Sequence, residues 1–250
     1  MLLQQVINGL TVGSTYGLVA LGYTLIYGVL GLINFAHGEI YMVGAFFAFT
    51  ALSLLRLPFW PSIALSVAGA AVAGLMVERI AYKPIRKATK SAQLISALGM
   101  SIVIRNIAML SWGSRTLPFP AVLADDMLEL AGVRLSILQV AIPLVALGLM
   151  VGLNEFVRRT RMGISVRAVS LDLEMASMMG IAPDKVISVV FVLGSALGGI
   201  AGMLVAMFYA SISFDMGVMV GLKSFIAAIL GGIGSIRGAM LGGLILGLAE

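Results

Sequence analysis

Seven stretches of apolar, nearly uncharged residues follow one another along this chain with short polar segments between them: about 6–33, 40–55, 60–77, 92–110, 136–153, 186–209 and a glycine-interrupted run at 222–249. A bilayer core about 30 Å thick takes roughly 20 apolar residues per helical crossing, so few folds are open to such a chain. Strands of a membrane barrel would alternate with period two over about 10 residues; these runs are longer and apolar on every side. The expectation is an all-α, polytopic integral membrane protein of about seven spans, with one domain over 1–250. Composition agrees, with 60% of residues hydrophobic and 11% charged, against roughly 45–50% apolar usage in soluble domains.

The first run has no basic segment before it and is too long for the apolar core of a signal peptide, so it is read as a retained span. Cysteine is absent, which removes disulfides, thiolate metal sites and cysteine nucleophiles. The net charge of +5 does not imply nucleic acid, because the basic residues sit in short loops between spans and not on a solvated face with stacking aromatics. One loop carries Arg79, Lys83, Arg86, Lys87 and Lys90; another carries Arg158, Arg159, Arg161, Arg167 and Lys185. Two spans separate these loops, so both fall on one side, which the positive-inside rule makes the cytoplasm. The turn 34–39 falls on that side too. The N-terminus and the loop 111–135, with Pro118, Pro120, Asp125, Asp126 and Glu129, fall outside, where Trp60 and Trp112 mark the interface. Arg56, Arg115, Arg134 and Lys223 are assigned to the other loops.

Glycines recur four apart at Gly9, Gly13 and Gly17 and at Gly194, Gly198 and Gly202, a spacing that lets helix backbones approach where lipid supplies no hydrophobic drive. Two regions share an outline, a glycine-rich span followed by a polar break, at 34–39 and at 213–223; by itself the likeness carries nothing. The 16 methionines read as packing filler.

Hydrolytic and redox motifs are missing. There is one histidine, so no paired-histidine metal site, and neither a nucleophile elbow nor a dinucleotide fingerprint is present. Near a phosphate loop, Gly217 to Ser224 has Leu222 between the Gly221 and Lys223 that would have to be adjacent. No catalytic, cofactor or metal residues are assigned, and active transport would need an ion gradient or a separate ATPase.

The polar island 158–185 bears on that choice. Asp172 is placed to cap a short helix over 173–179 that Gly180 ends, and Pro183 stiffens the entry to the next span. Small side chains at Ala168, Ala176 and Ser177 would let such a helix seat closely in a partner's groove, with Glu174 offering a charge. A plain solvated connector fits equally well. The pattern Glu174, Ala176, Gly180 on a loop ahead of a late span resembles the EAA loop of ABC importer permeases, the helix docked on the ATP-binding subunit, except that Met175 stands where alanine is usual.

Two further segments, Gly28 to Glu39 and Ala227 to Ala239, together with the rest of the chain, resemble the LivH-type permease subunit of branched-chain amino acid importers. The resemblance implies a second, LivM-type permease, two cytoplasmic ATP-binding subunits, a periplasmic binding protein and a place in the bacterial inner membrane. It implies no cofactor, and Asp172, Glu174, Ala176 and Gly180 become the ATPase-coupling loop. Arg237 departs from an expected proline, and the family pattern runs through at least one more span than this chain does. Relatives that import urea or short amides share the same motifs.

Several residues keep two readings. Asn34, His37 and Glu39 either cap the second span, Asn34 as N-cap, or line a translocation path, since polar groups at membrane depth are tolerated where they face a cavity. Arg105, about five residues from the outer end of its span, either snorkels or serves a path or gate. Gly231, Gly234 and Arg237 mark either a flexible kink or a discontinuous helix whose end faces substrate. An ion-coupled secondary transporter would need acidic residues within the spans, and the only ones found stand at span ends. A passive channel would need no ATPase.

Overall fold

The computed structural model describes residues 2–86, 88–121, 127–130 and 133–250; Lys87, Asp125 and Asp126 lie outside the described residues. The chain forms α1 (Leu2–Leu30), α2 (His37–Phe49), α3 (Phe59–Val77), α4 (Lys90–Trp112), α5 (Ile137–Arg159), α6 (Arg161–Leu171), α7 (Leu173–Met178), α8 (Pro183–Tyr209), α9 (Met216–Gly231) and α10 (Ile236–Ala249). α2 and α3 each close on a wider π-helical segment, Thr50–Leu54 and Glu78–Tyr82. Counting those segments, six described helices are long and apolar enough to cross a membrane, while α9 and α10 are apolar but shorter. Two short antiparallel strand pairs complete the description, Leu117–Pro118 with Ser211–Ile212 and Met127–Leu130 with Val133–Ser136.

The two basic loops meet in space. Arg86 bonds Asp184 at 2.5 Å and Lys83 lies 3.2 Å from it, so the end of α3 and the start of α8 share one end of the bundle, here the basic end. Phe59 and Trp60 open α3, and Trp112 closes α4, at the opposite, aromatic end. α1, α2 and α8 form the buried centre, whereas α4 and α5 expose most of their length.

Glycine spacing sets how closely the central helices approach. A Cβ at Gly13 would lie 2.9 Å from the carbonyl oxygen of Gly243, and one at Gly9 would lie 2.8 Å from that of Gly247. α1 and α10 therefore pack backbone to backbone and run antiparallel. Gly202 of α8 likewise lies against the Tyr41 backbone of α2, and Gly44 of α2 against Gly199, while Gly198 is in ordinary contact with the His37 ring.

The run 222–249, open from sequence to a single interrupted crossing or to re-entry, folds back on itself. Gly231 abuts Gly238 and Gly242 abuts Ala227, the pairing of an antiparallel hairpin, turned by Gly232 and Gly234 at φ +88° and +97°. At about 1.5 Å rise per residue, α9 and α10 measure roughly 24 and 21 Å, too short to cross alone. Lys223 is not in a loop: it stands within α9 and pairs with Glu250, with Tyr16 Oη 3.3 Å away. The likeness between the polar breaks at 34–39 and 213–223 does have a spatial counterpart. α1 runs toward the basic end and α8 away from it; each is followed by a shorter helix of opposite sense, and the starts of those two, α2 and α9, meet where Gly38 touches Gly217.

Candidate functional site

Two places among the described residues gather the residues singled out from sequence. The first is the corner α6–α7 at the basic end. Thr160 opens it, donating to Phe156 O at 2.7 Å and accepting from Gly163 N at 2.9 Å. Asp172 then caps α7, one carboxylate oxygen accepting from Glu174 N and Met175 N, both at 2.9 Å. The helix stops at Gly180, whose φ of +83° is a left-handed conformation costly to any residue with a Cβ. Ile181 N donates back to Ala176 O at 3.1 Å, closing the corner, and Pro183 starts α8.

Which residues face outward differs from expectation. Ala176 points inward and is buried, so it packs the corner onto the bundle. Outward stand Leu171, Met175, Met178 and Met179, 60 to 88% exposed. At least these three methionines are not packing filler. Large apolar side chains exposed beside charged loops mark interaction surfaces, and methionine is common on such surfaces because it adapts to its partner.

The corner is tied to the membrane helices by residues that sequence reading passed over. Glu78, 1% exposed, accepts from Arg86 at 3.0 Å and from Ser188 of α8 at 3.1 Å, while Arg86 also holds Asp184. This one network joins α3, the loop after it and the first turns of α8. Arg86 is visible in the sequence only as one of five basic loop residues, and nothing local in the sequence shows that it meets Asp184 or that Glu78 is buried beside it.

The second place is a cavity of about 350 Å³ between α1, α2, α4 and α9, lined among others by Glu39, Ser101, Arg105, Gly217, Phe35 and Phe225. Glu39 is not at the membrane boundary. It accepts from Ser101 Oγ at 3.1 Å, and Ser101 stands at the midpoint of α4. Further on, Thr50, in the π-helical segment that continues α2, accepts from Trp112 Nε1 at 3.0 Å, the same number of residues along both helices, so α2 runs parallel to α4 and starts at mid-depth. Glu39 is 2% exposed. An acidic residue thus lies inside the helical layer, contrary to the expectation that acids occur only at span ends.

The other residues singled out from sequence are placed as follows. Asn34 is not the N-cap of α2, which begins at His37 after Ala36 without a side-chain cap. Its Oδ1 accepts from Ala36 N at 3.2 Å, and Tyr82 Oη, 3.4 Å from it, also donates to Ile33 O, pinning the turn to the end of α3. His37 is fully buried, edge-on to Tyr23 with ring centroids 4.8 Å apart, and seated against Gly22 and Gly198. Arg105 lies farther from the end of its helix than expected, because α4 continues to Trp112, and it lines the same cavity as Glu39. Gly231 sits at the crossing of α9 and α10, while Gly234 and Arg237 are exposed at the hairpin turn, away from the cavity lining. Of these candidates the structure brings together Glu39 and Arg105.

A helical membrane bundle with two helices that start at mid-depth, beside a cavity lined by an acid and a base, is an architecture suited to a transport subunit. The chain belongs to the permease family of branched-chain amino acid transport systems: the model described as "Branched-chain amino acid transport system / permease component" matches residues 5–250. Among its relatives is the high-affinity branched-chain amino acid transport system permease protein BraD of Pseudomonas aeruginosa, 45% identical over 99% of this chain and 85% of BraD. LivH of Escherichia coli K12, a permease protein of the same description, is 44% identical over 99% of this chain and 84% of LivH.

Proposed function

We propose that this chain is the membrane-spanning permease subunit of an ATP-driven importer, carrying branched-chain amino acids delivered by a periplasmic binding protein across the bacterial inner membrane. It would act with a LivM-type second permease and two cytoplasmic ATP-binding subunits. The basic end would face the cytoplasm and the N-terminus the periplasm. The names borne by BraD and LivH support the substrate, and the clustering of basic residues supports the orientation.

The observation that carries the coupling role is the α6–α7 corner: a capped short helix beside charged loops, with Leu171, Met175, Met178 and Met179 projecting from it. Asp172, Ala176 and Gly180 shape that corner, and Glu174, exposed on it, offers a charge to the ATPase. Closure of the ATP-binding subunits would push on α7. The push would pass into α8 through Pro183 and into α3 through the network of Asp184, Arg86 and Glu78. Glu39 and Arg105 would line the path that then opens.

The test is Glu174→Arg in the assembled complex. Expected is loss of ATPase co-purification and at least a tenfold fall in uptake, with normal amounts of permease in the membrane. Unchanged uptake would overturn the coupling role.

A further inference from the structure

We infer that the mid-depth cavity binds the zwitterion of an aliphatic α-amino acid, Glu39 taking the ammonium group and Arg105 the carboxylate. The inference rests on the importer reading and names what that path recognises. Glu39 is buried, and only one of its oxygens is used: Oε1 accepts from Ser101, while Oε2 has no hydrogen-bond partner among the described residues. That free oxygen lies against Gly217, where an added Cβ would come within 2.9 Å of it. Arg105 is one helical turn beyond Ser101 on α4, so the two side chains share a face. Among the described residues no carboxylate lies within 4.0 Å of its guanidinium.

An acid and a base that line one cavity without pairing leave a gap that a ligand with both charges fills. Unpaired charge at membrane depth is costly, and a zwitterion compensates both groups at once. A neutral ligand such as urea or a short amide compensates neither. Phe35, Phe225, Leu98, Val218 and Leu222 supply an apolar wall for an aliphatic side chain. The volume, about 350 Å³, lies at the small end of the roughly 300–1,000 Å³ typical of ligand pockets.

The experiment uses the complete importer with its binding protein in proteoliposomes, reading both [3H]leucine uptake and ATP hydrolysis stimulated by the leucine-loaded binding protein. Glu39→Gln and Arg105→Gln are each expected to cut uptake at least tenfold while stimulated hydrolysis stays within about twofold of the parent. Arg105→Lys, which keeps a cation in place, restores at least a third of the uptake. Uptake within twofold of the parent in both neutral variants, or an Arg105→Lys protein no better than Arg105→Gln, overturns the assignment. So does equal loss of uptake and stimulated hydrolysis in both neutral variants, which marks a structural role. If the parent complex itself moves no leucine on ATP, the importer reading fails, and the site assignment with it.

Discussion

Gly180 and Gly202 show two different reasons for glycine in one chain. A Cβ at position 180 would meet nothing within 4 Å, so space is not the constraint; the φ of +83° is. Gly180→Ala should cost about 1–2 kcal/mol, confined to the α7 corner. Expected is a several-fold weaker hold on the ATPase in a co-purification titration, with the melting temperature of the permease itself shifted little. At position 202 a Cβ would collide with the Tyr41 backbone, so Gly202→Ala must push α8 from α2. Overpacking of this kind costs roughly 1–3 kcal/mol, and it should show as a lower melting temperature in detergent. The glycine spacing was legible in sequence, but which backbone each glycine meets was not. The same holds for Ala176: its motif position was visible, yet a helix of 6 residues is too short for periodicity to say which side is buried.

Among elements, the start of α8 is the junction through which the α6–α7 corner reaches the membrane. Arg86 is the cation of a network whose acid, Glu78, is buried, and breaking a buried pair costs about 3–5 kcal/mol. The cost should be lower here because Arg86 stays a fifth exposed and Ser188 still serves Glu78. Arg86→Ala is expected to leave ATPase association within twofold and to reduce uptake at least fivefold, since the tie between α8 and α3 is lost while the docking surface remains. Parallel co-purification and transport assays check this. A matched fall in both would mean that the network only maintains the corner. The spans themselves were readable as elements from hydropathy, less so where polar or glycine residues stand at mid-depth. α2 starts deeper than its place after a polar turn implies, and the glycine break in 222–249 is compatible from sequence with either one crossing or the α9–α10 hairpin.

At the scale of the whole molecule the open quantity is direction. The chain lacks cysteine, so single introduced thiols report sidedness cleanly. Met178→Cys at the basic end and Trp60→Cys at the aromatic end are both exposed. In intact cells with permeabilised outer membranes, an impermeant maleimide should label the cysteine at 60 and leave that at 178 unmodified until the inner membrane is opened. The reverse pattern would overturn the orientation. Both positions lie outside the Glu39 cavity, so their labelling tests topology without touching the path.

Sequence alone determined that the chain is a helical membrane protein, that its two basic loops share a side, and that a capped short helix interrupts the polar island. These follow from local quantities: apolar run length, charge count and capping residues act over a few turns. Only the tertiary structure decided the depth of Glu39, its shared cavity with Arg105, the fold-back of α10 and the outward set of α7's methionines. The depth of a charge is fixed by the helices packed around it. A glycine-rich break can be a kink in a span or the turn of a hairpin, and the contact of Gly231 with Gly238 chose the hairpin.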